Sequence, residues 1–283
     1  MPMNTTIVEN HINETKNSLL LSYFQRIGFN GNAEPTLECL HSLHFLHPIA
    51  IPFENLNPFF GIPVLLDIDS VRKKLIDNMR GGYCFEHNLL FKEILELIGF
   101  KVKGLAARVI WNRPDDTVTP RSHMVLLVEA DGQQFIADVG FGGQTLTAPL
   151  LLKPDLEQMT THEPYRLILN NGFYVLQVLI KEDWRSVYKF TLEEQFLPDY
   201  EVTNWYLSNH PASHFVTGLI AARVIKDSRY NLRNTQLAVH YKDGKTEKTE
   251  LTSVDEIVKV LQEIFLIRLP DQIDLSKLQK VIL

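Results

Sequence analysis

"RGGYCFEHN", residues 80–88, decides how this chain is read. It sets Cys84, one of only two cysteines, after a Gly-Gly turn and at the mouth of the apolar run "CFEHNLLFKEILELIGF". Phe85, Leu89, Leu90, Ile94, Leu97 and Ile98 fall on one broad stripe, which predicts a helix closed by Gly99. A cysteine at a helix N-terminus meets the positive end of the helix dipole and unpaired backbone N–H groups. Both favour a thiolate, and the same N–H groups can hold an oxyanion. A buried structural thiol is the competing reading, and local context leaves both open. Cys39, set mid-helix among Leu37, Leu40 and Leu43, reads as core.

Upstream of this stretch the chain reads as helical. "NSLLLSYFQRIGF" stops at Gly28, and "TLECLHSLHFLHPI" repeats Leu and Phe every three to four residues until Pro48 is expected to end it. "SVRKKLIDN" is a short candidate helix with Ser70 as its N-cap. From about residue 100 the period changes to two. "KVKGLAARVIW", "SHMVLLVEA", "QQFIADVGF", "PYRLILN", "FYVLQVLI" and "WRSVYKF" predict strands, with turns at "ADGQ" (130–133) and "NNG" (170–172). Such a run suggests an antiparallel sheet or barrel. The last third mixes a connector with helical pieces, a small sheet turning at "KDGK", and a helix capped by Ser253 and Glu256.

Composition narrows the function. Lys and Arg number 28 against 34 Asp and Glu, a net charge of −6, which argues against broad nucleic-acid binding. Two cysteines make no disulfide framework, no Cys-x-x-Cys pair offers a structural zinc site, and no apolar run reaches bilayer length. The first 20 residues lack the charged-then-apolar pattern of a secretory signal, so a cytoplasmic setting is expected and the Asn-x-Thr triplets at Asn4 and Asn13 read as chance.

A nucleophilic cysteine needs a base and a group that orients the base. His123 opens a strand, and Asp138 ends the next one, 15 residues later, across the turn at Asp131-Gly132. Two paired antiparallel strands would bring the two side chains to neighbouring positions. Taken singly, His123 also reads as a core histidine and Asp138 as a turn residue. His87, three residues after Cys84, is the rival base, but it points along the same helix. His41, His44 and His47 recur in threes, yet no Cys, Asp or Glu completes a metal site, so helix packing is expected. "GFGGQT" (140–145) lacks the ending of a phosphate loop and reads as a tight turn beside Asp138.

Taken together, "YFQRIGF" (23–29), "LHSLHFLHPIAIPFENL" (40–56), "RGGYCFEHN", "RSHMVLLVE" (121–129), "IADVGFGGQTLTAP" (136–149) and "YLSNHPASHF" (206–215) resemble the arylamine N-acetyltransferase family, most of all its bacterial members, including N-hydroxyarylamine O-acetyltransferases. The resemblance implies an α+β fold of three domains: a helical bundle (1–98) carrying the nucleophile, a β-barrel (99–203) carrying His and Asp, and an α/β lid (204–283). It implies a cysteine-protease-like triad of Cys84, His123 and Asp138. It further implies ping-pong transfer of acetyl from acetyl-CoA, through an acetyl-cysteine, to arylamines, arylhydrazines or N-hydroxyarylamines. Acetyl-CoA is then a co-substrate, with no metal and no permanently bound cofactor. Family positions near the cleft map onto Phe53, Tyr83 and Phe141, and segments that approach CoA contain Thr119, Tyr206 and Ser213. Arg26, Glu54 and Arg80 are expected to form a buried ion-pair cluster behind the Cys84 turn. The same triad logic also serves amide synthases with another acyl donor, and cysteine hydrolases or transglutaminase-like enzymes.

Overall fold

The run after the Gly-Gly turn forms the helix Cys84–Ile98, with Phe85, Leu90, Phe91, Ile94 and Leu95 on its buried side. The structure is a computed structural model that describes residues 17–271 and 273–282; Asn4 and Asn13 lie outside the described residues. Glu86 fastens the first turn of this helix by accepting the Tyr83 N–H at 3.1 Å. Gly99 ends it in the left-handed conformation, φ 110°. Helical residues 17–27 and the helix Leu37–Ala50 share one apolar core with it, and Cys39 is buried there.

Two expectations about helix ends are corrected. Pro48 does not stop its helix but sits inside the last turn, where a missing N–H costs one backbone bond, and the helix runs to Ala50. The next helix, Ile68–Arg72, is capped by Asp67 rather than Ser70: Asp67 Oδ1 accepts the Ser70 N–H at 2.9 Å. It then widens into a π-helical turn, Lys73–Asp77, before the chain reaches Arg80.

The period-two segments build an eight-stranded antiparallel sheet around a second core of Leu105, Val125, Leu127, Ile136, Tyr165, Leu176 and Tyr188. The turns at Asp131-Gly132 and Asn171-Gly172 have positive φ at both residues, as two-residue hairpins require. Strand Arg121–Ala130 is buried on both faces: Val125 and Leu127 look into the barrel, while Met124, Leu126 and Val128 pack toward the helices. The sheet's two edges, Leu150–Leu151 and Gln158–Met159, are joined by the Gln158 amide, which accepts the Leu151 N–H at 2.7 Å and donates to its carbonyl at 3.0 Å. Those bonds bring the sheet close to a closed barrel.

A third core lies under the C-terminal sheet, where Leu232, Leu237, Ile257, Leu261, Phe265 and Leu278 meet. Ser253 caps the helix Val254–Glu263 there. The edge strand of this sheet comes from far upstream: Phe53–Glu54 pairs antiparallel with Ile220–Ile225. The segment before the Cys84 turn is thereby tied to the lid. Among the described residues, no helix is long and apolar enough to cross a membrane.

Candidate active site

Cys84 is the first residue of its helix, so its own N–H has no intrahelical acceptor. Its sulfur lies 3.7 Å from the Ser122 carbonyl, at the start of the strand that carries His123. The pairing of Leu126 with Ala137, extended one residue, sets Asp138 opposite Val125, on the face shared by His123. There His123 Nε2 donates to Asp138 Oδ2 at 2.7 Å, with both side chains buried. The remaining ring nitrogen, Nδ1, is left for the thiol.

The electrostatics follow from this placement. Burial opposes a charge on His123, but the Asp138 carboxylate and then the Cys84 sulfur outweigh it and lift the imidazole to about 10. Burial likewise opposes a charge on Asp138. The His123 ring, the Asn88 amide and the Gly140 N–H outweigh it and hold the carboxyl below its usual range. The folded site therefore favours an imidazolium–carboxylate pair at neutral pH, beside a sulfur.

Asn88 holds this pair in place, and no sequence signal singled it out. Its amide donates to Asp138 Oδ1 at 3.0 Å and to the Met124 carbonyl at 2.8 Å, and its oxygen accepts the Val139 N–H at 3.1 Å. The position lies one helical turn beyond Cys84, which is the hint that could have found it. His44 accepts the Asp138 N–H at 3.1 Å. The His123 ring is flanked by Phe141, edge-on at 5.1 Å, and by Tyr188, tilted at 5.1 Å. Gly140 closes the arrangement: a Cβ there would come within 3.0 Å of Cys84 Cα and 2.9 Å of His87 Cβ. The "GFGGQT" turn thus abuts the site directly.

Behind the Cys84 turn, Arg80 pairs with Glu54 at 2.6 Å and donates to Asn57 at 2.9 Å, while Lys74 pairs with Glu86 at 2.7 Å. Arg26 is not part of that cluster, contrary to expectation; its Nε donates to the Leu75 carbonyl at 3.0 Å. Lys74 and Glu86 take its place. The turn itself is tight enough that a Cβ on Gly81 would fall 1.9 Å from the Pro52 carbonyl.

The six candidate binding residues separate. The Phe53 ring packs on Gly142 of the turn after Asp138, and Phe141 sits on His123. Thr119 is buried, and its hydroxyl has no partner among the described residues. Tyr83 is enclosed: its ring meets Phe85 and Phe215 edge-on, and its hydroxyl donates to Asn204. Ser213 is a helix cap, donating to the Leu207 carbonyl at 2.5 Å and accepting the Phe215 N–H. Tyr206 is 44% exposed and stacks on His210. His41 is exposed, whereas His44 and His47 are buried with different partners, so the three do not converge.

A cysteine at a helix N-terminus, facing a histidine held by a buried aspartate, is an arrangement suited to acyl transfer through the sulfur. The chain belongs to the arylamine N-acetyltransferase family: the N-acetyltransferase family model matches residues 36–273. It is 45% identical over 253 residues to the arylamine N-acetyltransferase of Mycolicibacterium smegmatis, covering 88% of this chain and 92% of that protein. It is 39% identical over 249 residues to the arylamine N-acetyltransferase / N-hydroxyarylamine O-acetyltransferase of Salmonella typhimurium, covering 88% of each. The Mycobacterium marinum arylamine N-acetyltransferase solved in complex with CoA superposes with a TM-score of 0.88 at 41% identity, over 93% of this chain and 98% of that one.

Proposed function

We propose that the protein moves an acetyl group from acetyl-CoA to arylamines, arylhydrazines or N-hydroxyarylamines, with Cys84, His123 and Asp138 as its catalytic triad. Cys84 Sγ, having given its proton to His123, attacks the thioester carbonyl. The Cys84 N–H, free at the helix start, faces the developing oxyanion. The S–C bond to CoA then breaks, and CoA leaves as the thiol with the proton carried by His123. An amine next attacks the acetyl-cysteine, gives a proton to His123 and takes the acetyl group, and the proton returns to sulfur. Asp138 keeps Nε2 protonated and the ring oriented throughout.

The observation that carries this reading is His123, buried, bonded to Asp138 at 2.7 Å and raised by both Asp138 and Cys84. Phe53, packed on Gly142 of the turn after Asp138, and Phe141, edge-on to His123, are proposed to wall the acceptor site. Thr119, with its unpartnered hydroxyl, is proposed to meet the donor. CoA release measured with purified protein, acetyl-CoA and a panel of the three acceptor classes is the test. Amine-dependent release with parallel double-reciprocal lines is expected. Release that never exceeds one equivalent with any acceptor, or intersecting lines, would overturn the proposal.

A further inference from the structure

Directly beneath the Cys84 turn runs a line of buried polar rings that the acyl-transfer scheme leaves unused. Tyr23 Oη lies 2.9 Å from His47 Nδ1, and His47 Nε2 lies 2.8 Å from His87 Nδ1. His87 Nε2 then lies 3.2 Å from the Pro52 carbonyl and 3.1 Å from the Gly82 carbonyl. All three side chains are buried.

Geometry fixes the direction of this chain. A carbonyl oxygen only accepts, so His87 Nε2 carries the proton, and the neutral ring accepts at Nδ1. His47 must then donate from Nε2 and accept at Nδ1, which makes Tyr23 a donor. With both rings neutral every donor points toward the turn, and no second arrangement gives both carbonyls the His87 N–H. Burial first, and then the neighbouring His87, His44 and Arg26, hold His47 well below its ordinary value. Burial above all holds His87 to about 4. The charged groups acting on the pair are Lys74 and Glu54 at His87 and Arg26 at His47, and His44 also acts on His47.

The two carbonyls at the end of the chain belong to the two segments that flank Cys84. Gly82 is two residues before the sulfur, and its oxygen also accepts the Glu54 N–H at 2.8 Å. Pro52 precedes Phe53, and the Phe53 ring lies parallel to the His87 ring at 6.3 Å. His87 therefore clamps the nucleophile's turn to the strand carrying a proposed acceptor wall. Without it, the His47 N–H would be buried without its acceptor, and the Pro52 and Gly82 carbonyls would lose the N–H they share.

We propose that Tyr23, His47 and His87 form a one-way donor chain that positions the Cys84 turn, with His87 as a positioning residue for the first acyl-transfer step. This rests on the reading of Cys84 as the nucleophile. The chain moves no proton to the sulfur, because it ends on carbonyl oxygens. Its effect falls on the geometry of the Cys84 sulfur and N–H, and hence on the acetylation rate rather than on acetyl-CoA affinity.

Rapid-quench mass spectrometry of acetyl-Cys84 formation, read with long-range proton–nitrogen spectra of the histidines, tests the proposal. Wild-type spectra should show His47 and His87 neutral, each protonated at Nε2. His87→Leu should slow acetylation about tenfold, with the acetyl-CoA concentration that half-saturates this step little changed, since misplacing a reacting atom costs rate. His87→Gln, which keeps a donor near both carbonyls, should recover most of the loss. Tyr23→Phe touches neither the turn nor the sulfur and covers the case in which His87→Leu does not fold; it should slow the same step about threefold through one lost hydrogen bond. Nδ1-protonated tautomers, equal impairment of the Leu and Gln variants, or a wild-type rate in Tyr23→Phe would overturn the proposal. Failure of the wild-type protein to acetylate Cys84 would instead remove the triad reading beneath it.

Discussion

Asn88 and Asp138 lie 3.0 Å apart, amide to carboxylate, and the same Asn88 side chain also bonds to the backbone next to each of His123 and Asp138, at Met124 and Val139. One buried amide thus sets the spacing between the strand of His123 and the end of the strand leading to Asp138. Asn88→Ala leaves a buried carbonyl, a buried N–H and one carboxylate oxygen short of partners. A cost of about 2–4 kcal/mol in urea unfolding is expected, with a fall in kcat on the order of tenfold or more. Wild-type values for both would show that the amide does not set this geometry.

Asp138→Asn separates charge from shape. The amide can keep the fold, but it cannot hold the protonated ring, so kcat should fall by about 10³-fold or more. His123 is raised to about 10 in the folded site, so its protonated form persists until pH rises through that value. Losing the carboxylate should move the alkaline limb of the activity profile down by about one unit or more. A variant with wild-type rate and an unmoved limb would make Asp138 a turn residue only.

Helix Cys84–Ile98, the hairpin turns and the period-two strands were legible because each rests on local pattern: apolar spacing, Gly99, Asp131-Gly132 and Asn171-Gly172. The His123–Asp138 juxtaposition was legible because hairpin register is also local, whereas the approach of Cys84 to that pair was implied by the family resemblance. What escaped depends on distant partners. Arg26 spends its Nε on the Leu75 carbonyl, and Phe53–Glu54 joins a sheet whose next strand begins at Ile220. Asp67 outcompeted Ser70 as a cap because its carboxylate reaches the Ser70 N–H itself. The His47–His87 contact spans 40 residues and left no trace in any periodicity.

His44, His47 and His87 also predict how stability depends on pH. Burial, the largest cause in each, lowers His44 from 6.5 to about 3 and His87 to about 4, and holds His47 well below 6.5. Below pH 6.5 the unfolded chain takes up protons that these three folded rings refuse, so their contribution to stability is complete above that value and falls toward pH 4, whereas that of His123, raised to about 10, is complete below pH 6.5 and is lost as pH rises. Each of the three contributes about 1.4 kcal/mol per pH unit within the window. The urea midpoint should drop steadily from pH 6.5 to pH 5; a constant midpoint would contradict the neutral, buried assignment.

Arg229 clasps the lid to the barrel. It bonds Glu163 through Nε at 3.0 Å and Nη2 at 2.7 Å, and donates to the Thr145 carbonyl at 2.8 Å. Arg229→Met strands a carboxylate and frees the end of the "GFGGQT" turn, with an expected loss of about 3 kcal/mol in urea unfolding. Glu163→Gln should cost less, and the double variant should fall short of the sum. Strict additivity would contradict a direct clasp.

The claim that matters most is that Cys84 carries the acetyl group. Brief incubation with acetyl-CoA and no acceptor, followed by peptide mass analysis, reads it directly. One acetyl group on the peptide containing Cys84, removed on adding an arylamine, is the predicted result. An unmodified Cys84 that still reacts with an alkylating agent, or an acetyl group that persists in the presence of every amine, would contradict it.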